Sequence, residues 1–209
     1  MHKILIGLLA ATCASAASAA VQIDFNNPTG DIGTSHTYSN GGLSVTAYGL
    51  TYGFASTDLF GKNNGGDENG VGIANDPSGD HEIWDGIESG GFVFLDVSDL
   101  LANNVSEAQF TMGSTTNGEE WTIYGTNGAF TSLLTGDDEQ WHDLPEWGSW
   151  YNYVFSATNP GDNVLLSALS LTQSVPEPQT WAMMLVGFGA MGVAFRRRRR
   201  VTVTLPQIA

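Results

Sequence analysis

The chain has 209 residues and a formal net charge of −15 at pH 7, with 7 basic and 22 acidic side chains. Residues 21–175 hold 21 of the 22 acids and a single cation, Lys62, so this stretch carries a formal charge of −20. A surface this negative repels phosphate backbones and anionic lipid, which excludes nucleic-acid binding as a function. A domain of about 155 residues buries roughly 70% of its unfolded surface, so it can hold a core without a disulfide or a metal.

The first 20 residues have the composition of a secretory signal peptide. Lys3 gives a cationic tip, residues 4–14 are apolar, and small-x-small cleavage sites lie at residues 14–16 and 17–19. The alternatives are a first strand or core helix, and a lipid-acceptor site at Cys13, although the residues before this cysteine do not suit one. Cys13 is the only cysteine, so the exported chain is expected to have no thiol for a disulfide, a metal or a nucleophile.

Residues 21–173 show the pattern of short β-strands. Strands are predicted at residues 21–25, 43–48, 92–97, 108–112, 120–125, 150–157 and 164–171. β-Branched and aromatic residues dominate these runs, and Gly-Gly, Asn-Gly, Asn-Pro and Asp-Pro pairs separate them. A single helical turn is predicted at residues 98–103. We therefore predict an all-β domain, an antiparallel β-sandwich or jelly roll.

The longest predicted loop, residues 61–80, is rich in acidic and amide side chains. Carboxylate and amide oxygens are the ligands that calcium prefers, but no EF-hand spacing is present. Loops rich in Gly, Asn and Asp are also ordinary turns. A structural calcium ion is the one cofactor that the sequence suggests, and its candidate ligands are Asp67, Glu68, Asp76, Asp80 and Glu82.

Aromatic side chains are concentrated near residue 147. Flat rings beside acidic hydrogen-bond acceptors are typical of sugar-binding faces, although Trp and Tyr on strands also serve as core packing. The candidate glycan-binding residues are Trp141, Trp147, Trp150 and Tyr151.

No catalytic residue is predicted. The chain has no nucleophile elbow of the G-x-S-x-G type. Residues 21–175 also contain no arginine with which to hold a phosphate or carboxylate substrate. We therefore predict that the protein is not an enzyme.

The C-terminal segment begins with the rigid tripeptide Pro176-Glu177-Pro178. Proline fixes φ near −65° and favours extended geometry before it, so Glu177 is expected to stay outside the helix that follows. Residues 181–195 are uncharged, and we predict a transmembrane helix over 179–195, slightly short of the roughly 20 residues of a usual span. A buried globular helix is the alternative. Five arginines that follow place this end in the cytoplasm and the acidic domain outside: Arg196, Arg197, Arg198, Arg199 and Arg200.

The order of tripeptide, apolar helix and basic stop closely resembles the PEP-CTERM sorting signal, in its PEPxxWA variety. Pro176, Glu177, Pro178 and Trp181 match the motif. The resemblance implies recognition and removal by an exosortase, a membrane cysteine protease or transpeptidase of Gram-negative bacteria that make exopolysaccharide. In this chain residues 201–209 follow the arginines, whereas such signals generally stop soon after them.

The sequence thus predicts a signal peptide (1–20), an exported β-sandwich domain (21–173), a sorting signal (174–200) and a cytoplasmic tail (201–209). The expected partners are the secretion machinery, an exosortase-type enzyme and exopolysaccharide. The expected route is through the inner membrane to the cell surface or extracellular matrix of a Gram-negative bacterium. The predicted function is that of a non-enzymatic surface or biofilm protein. The alternatives are a carbohydrate-binding or adhesive module and a secreted hydrolase.

Overall fold

The computed structural model describes residues 20–116, 118–174 and 178–198. Residues 20–174, called the β-domain below, are built almost entirely from strands, with a 3-10 turn at Tyr52–Phe54 and one short helix, α1, at Ser98–Ala102. The strands are β1 Ala20–Asp24, β2 Gly30–Gly33, β3 Ser35–Asn40, β4 Leu43–Thr51, β5 Ala55–Ser56, β6 Leu59–Asn63, β7 Asn69–Ile73, β8 Ile83–Trp84, β9 Gly91–Asp96, β10 Val105–Gly113, β11 Trp121–Thr126, β12 Phe130–Gly136, β13 His142–Asp143, β14 Asn152–Ala157 and β15 Asn163–Gln173.

All strand pairs in the described residues are antiparallel, and they form two sheets. The first sheet has the order β13-β10-β15-β7-β6-β2, with β1 also paired to β15. The second has the order β12-β11-β14-β9-β4-β3, with β5 also paired to β4. The short strand β8 pairs with both β9 and β15 and so joins the two sheets.

The two sheets pack face to face around aromatic side chains. Phe110 of the first sheet contacts Trp121 and Phe155 of the second, with ring centroids 5.3 and 5.5 Å apart. Successive strand residues point to opposite faces, so alternate residues of β4, such as Leu43, Val45 and Ala47, enter this core. The prediction of an all-β antiparallel domain is confirmed.

Most of the predicted strands are present, but the predicted loop over residues 61–80 is wrong in its first half. Strands β6 and β7 form a hairpin there. Glycines in β7 allow other backbone to approach closely. A Cβ on Gly70 would lie only 2.4 Å from the Leu166 carbonyl oxygen, and a Cβ on Gly72 would lie only 2.3 Å from the His81 carbonyl oxygen. These glycines therefore mark close packing rather than a turn. The predicted helical turn near residue 98 is α1.

Helix α2 spans Pro178–Arg198 and belongs to a separate compact unit. Among its described side chains, Leu185, Phe188 and Phe195 are mostly exposed. No helix in the described part of the chain meets the length and apolarity required of a membrane span. The predicted signal peptide up to residue 19, Cys13, and the tail from residue 199 onward lie outside the described residues, as do Pro176 and Glu177.

Candidate functional site

Strand β6 places Lys62 between two glutamates. The ammonium lies 2.5 Å from Glu68 Oε2 and also donates a hydrogen bond to Glu82 Oε1. The Ser114 hydroxyl lies 3.0 Å from Glu68 Oε1 and 3.0 Å from Glu82 Oε1, so its single proton can go to either carboxylate. Lys62 and Glu82 are only 8% and 4% exposed. Lys62, the lone Lys or Arg of the β-domain, therefore holds the buried carboxylate of Glu82 beside the partly exposed one of Glu68.

The pKa values of this cluster follow from burial and mutual charge. Burial lowers the pKa of Lys62, but the hydrogen bonds and charges of Glu68 and Glu82 outweigh it and leave that pKa above its usual value. The hydrogen bond from Lys62 holds the pKa of Glu68 below its usual value. Burial raises the pKa of Glu82 despite the same ammonium. Of the two carboxylates, Glu82 therefore relies more on Lys62 to stay ionised.

The residues predicted to bind calcium take other partners. Glu68 and Glu82 face Lys62, while Asp76 accepts hydrogen bonds from the Ser78 amide and hydroxyl. The main-chain oxygen of Asp67 accepts a hydrogen bond from the Ser114 amide. The Asp80 side chain is exposed. Across the described ranges, no three His, Asp or Glu side chains are grouped so as to hold a metal ion. Calcium binding stays a prediction.

A polar cleft of about 580 Å³ lies beside this cluster. His81 forms part of its wall: its ring stacks on Phe60 with centroids 4.0 Å apart, and Nδ1 lies 2.8 Å from the Ala74 carbonyl oxygen. That geometry requires Nδ1 to carry the proton and donate it, which leaves Nε2 as the acceptor of the neutral ring. The cleft combines fixed donors and acceptors.

Stability is expected to fall as the pH rises above about 10. Burial raises the pKa of Tyr38 and of Tyr153, and the pKa of Lys62 is also raised. A raised folded-state pKa contributes stability that is complete below the unfolded value and is lost as the pH climbs through the folded value. Urea unfolding at pH 7, 9, 10 and 11 measures this decline.

Two tyrosine variants are matched controls for the pH series. The Tyr38 hydroxyl is buried without a hydrogen-bond partner in the described residues, so Tyr38→Phe should make the decline shallower without lowering stability at pH 7. The Tyr153 hydroxyl donates to the Pro145 carbonyl oxygen at 3.0 Å, so Tyr153→Phe should cost about 0.5–1.5 kcal/mol at pH 7. Equal slopes in the wild type and both variants would contradict the assignment.

The four predicted glycan-binding aromatics do not share one environment. Trp147 stacks on Tyr153 and donates Nε1–H to the Val105 carbonyl oxygen, and Trp150 covers Gly125. Both tryptophans pack against the core. Trp141 and Tyr151 are 42% and 61% exposed. Half of the predicted platform is thus core packing, and its exposed half stays a candidate.

A different set of aromatic rings lines an open groove of about 740 Å³, called the aromatic groove below. Its rings contact one another in series: Phe54 stacks on Phe130 at 5.1 Å, and Phe130 meets Phe92 at 6.4 Å and Tyr124 at 6.2 Å. Burial and the charge of Glu88 raise the pKa of Tyr124. Tyr52, Asp85 and Glu88 also line the groove.

Sequence reasoning missed this groove because its residues come from four separate segments. The 3-10 turn, the turn between β8 and β9, the β11–β12 hairpin and the turn after β14 all contribute. One local signal was present: Tyr52-Gly53-Phe54 places two aromatic residues around a glycine directly after a strand. Turns lie at the surface, so aromatic side chains in a turn are expected to be exposed to solvent.

The C-terminal segment matches a known signal. A sequence model described as the PEP-CTERM protein-sorting motif matches residues 174–199. The chain is therefore an exported protein that carries a C-terminal sorting signal. This PEP-CTERM motif implies processing by an exosortase-type membrane enzyme. Pro178 begins helix α2 and Trp181 lies within it.

Other comparisons add little to the β-domain. Curated proteins give no match. Among solved structures the chain is similar to a family two carbohydrate esterase from Cellvibrio japonicus, with a TM-score of 0.32 and 13% identity over 78% of this chain. The chain spans only 36% of the esterase's length. A likeness this distant carries no functional argument.

Proposed function

We propose that this protein is a non-enzymatic component of the cell surface or extracellular matrix of a Gram-negative bacterium and associates with exopolysaccharide. The observation that carries the proposal is the sorting motif over residues 174–199. The acidic β-domain suits this role, because a formal charge of −20 keeps it soluble and away from anionic lipid.

Helix α2 acts in this proposal as a transient membrane segment. Its exposed apolar side chains are spread over more than half of the helix surface rather than along one narrow stripe: Met184, Leu185, Val186, Phe188, Met191, Val193 and Phe195. An apolar surface this wide needs an apolar environment, which lipid provides. The arginines from Arg196 onward hold the C-terminal end in the cytoplasm and leave the β-domain outside.

The absence of catalysis is part of the proposal and is supported by the ionic cluster. The buried charged groups Lys62 and Glu82 bind each other, and Ser114 is a donor to the same carboxylates. Ser114 and Glu82 are each only 4% exposed, so the serine hydroxyl is not presented to a substrate. The cluster is better suited to stabilising the fold.

The aromatic groove favours a second candidate function, a carbohydrate-binding module delivered by the same tail. Rings and a carboxylate that converge in an open groove are suited to sugars, because C–H faces pack on rings while hydroxyls donate to carboxylates. In this candidate the sorting signal supplies delivery and the β-domain supplies retention on the polysaccharide.

The sorting proposal predicts the mass of the surface form. Intact-mass measurement of protein from the cell surface should find a product that lacks residues 181–209. The double variant Pro176→Ala, Pro178→Ala should leave full-length protein in the membrane fraction, because it removes both prolines of the matched motif and with them the restriction that proline places on backbone geometry. Pro160→Ala, in a turn of the β-domain, is the matched control and should be processed normally. Full-length wild-type protein at the surface would contradict the proposal.

A further inference from the structure

We propose that the aromatic groove and the aromatic row that continues from it bind a polysaccharide without anionic groups. This inference rests on the proposed association with exopolysaccharide and names the surface and the ligand chemistry for it. It differs from the aromatic stretch around residue 147 that the sequence suggested. Delivery of the protein by its tail is tested separately.

Two large aromatic side chains of the groove are exposed to solvent. Tyr52 is 66% exposed and Phe54 is 57% exposed, although both line the same groove as the buried ring of Phe92. The rings of Phe54 and Phe92 are in contact at 6.0 Å, so Phe54 has a fixed position without being buried. An exposed ring held by a buried one is a ready contact surface for a ligand.

The backbone on both sides of the groove is strained. Phe54 has φ of 63° and Asp85 has φ of 59°, in the left-handed region that non-glycine residues seldom adopt. Hydrogen bonds hold these turns: the Tyr52 amide donates to the Gly90 carbonyl oxygen at 2.9 Å, and the Gly161 amide donates to Asp85 Oδ1 at 2.7 Å. Strain held by the surrounding structure is a feature of ligand sites, and it gives a pre-organised groove.

Polar groups in the groove are free to meet a ligand. Glu88 and the hydroxyls of Tyr52 and Tyr124 have no hydrogen-bond partner among the described residues. The carboxylate accepts from sugar hydroxyls, and each tyrosine hydroxyl both donates and accepts. Acidic groups and no cation line the groove, and the whole β-domain is strongly negative. This charge repels uronic acids and sulfated sugars and admits neutral or amino sugars.

The outer face of the second sheet extends the groove. Tyr48, Phe94 and Tyr124 lie in register across β4, β9 and β11, and the fully buried Val154 of β14 lies between Phe94 and Tyr124. The rings of Tyr48 and Phe94 are 6.0 Å apart, and Tyr48 is 37% exposed. Four neighbouring strands cover about 14 Å at the usual spacing of roughly 4.8 Å. A row of this length fits several sugar units, which favours a polymer over a single sugar.

Binding can be measured by calorimetry on the full-length chain in detergent. The probes are a soluble neutral glucan, a partly deacetylated chitin oligomer and alginate as the anionic polymer. We expect the wild type to bind the glucan or the chitin oligomer and not alginate. Tyr52→Ala and Phe54→Ala should each weaken that binding about tenfold, because each removes a stacking ring. Both rings are exposed, so thermal melting should show folded variants.

Two controls separate this surface from its alternatives. Tyr151→Ala removes an equally exposed ring outside the groove and should leave the affinity unchanged. Glu88→Gln should weaken binding of the cationic chitin oligomer more than binding of the glucan. This difference would show that the Glu88 charge recognises the amino groups of the oligomer. The proposal is overturned if neither non-anionic polymer binds, if the groove variants bind as the wild type does, or if only alginate binds. Loss of binding in Tyr151→Ala alone would also overturn it in favour of the predicted aromatic stretch.

Because the assay uses purified protein, its result does not depend on processing. Failure to bind with normal removal of the tail would reject the groove and keep the sorting role. Normal binding, together with an intact tail on the surface protein, would keep the groove proposal and reject the sorting role.

Discussion

Replacing Lys62 with methionine is expected to lower the free energy of unfolding by about 3–5 kcal/mol, because removing one partner of a buried ion pair leaves an uncompensated buried charge. Glu82 is 4% exposed and would lose both its hydrogen bond from the ammonium and the neutralising charge. Methionine keeps the length of the apolar stem, so the loss reports charge rather than packing. Urea unfolding at pH 7 measures the change.

Second-site variants assign this loss to particular carboxylates. Adding Glu82→Gln to the methionine variant should recover part of the stability, since it removes the stranded charge. Adding Glu68→Gln should recover less, because the Glu68 side chain is 35% exposed and water screens its charge. A loss below about 1 kcal/mol in the single variant would mean that Lys62 does not hold the cluster together.

The same variant also bears on calcium. With the ammonium gone, the paired carboxylates offer oxygen ligands to a divalent cation. Calcium should therefore raise the melting temperature of Lys62→Met more than that of the wild type. An equal rise in both proteins would show that the calcium site suggested by the sequence does not depend on removing Lys62.

Truncating Trp121 to alanine is expected to cost about 3–5 kcal/mol, as for other fully buried large side chains. Its ring packs edge-on to Phe110, and Nε1–H donates to the Asp138 carbonyl oxygen at 3.0 Å. It also holds the β11–β12 hairpin, which carries Tyr124 and Phe130 into the aromatic groove. Chemical unfolding of Trp121→Ala, with Trp121→Phe as the milder comparison, measures the loss.

Gly136 supplies a matched test of this packing. A Cβ at this position would lie 2.3 Å from Cζ2 of Trp121, so Gly136→Ala alone should destabilise by about 1–3 kcal/mol. In the Trp121→Phe background the smaller ring leaves room, and the same glycine substitution should cost less. Strict additivity of the two changes would show that the two residues are not in contact as described.

Much of the fold can be predicted from the sequence because strand alternation is local. The runs at residues 43–48 and 164–171 lie within the longer strands β4 and β15. Strands β6 and β7 were missed because their glycines read as turns. Those glycines are required by backbone from elsewhere in the chain, such as Leu166 against Gly70, and that contact has no local signal.

The sorting signal can be recognised from the sequence, whereas the side-chain sites depend on the fold. A linear signal is carried by order along the chain, so Pro176, Glu177, Pro178 and the basic stop are recognisable without coordinates. The partners of Lys62 and the fate of Trp147 depend on which segments meet after folding. Local composition could suggest carboxylate ligands and sugar-binding rings, but it could not say which of them would face an ammonium or the core.

The sequence by itself therefore determined the fold class, the charge and the export tail, because periodicity, composition and motif order are properties of neighbouring residues. Only the tertiary structure decided that Lys62 pairs with both Glu68 and Glu82 and that the exposed aromatic surface is built around Phe54 and Tyr124. The physical reason is that ion pairs and grooves join residues far apart in the chain. Sheet registry and loop packing, rather than sequence distance, set their geometry.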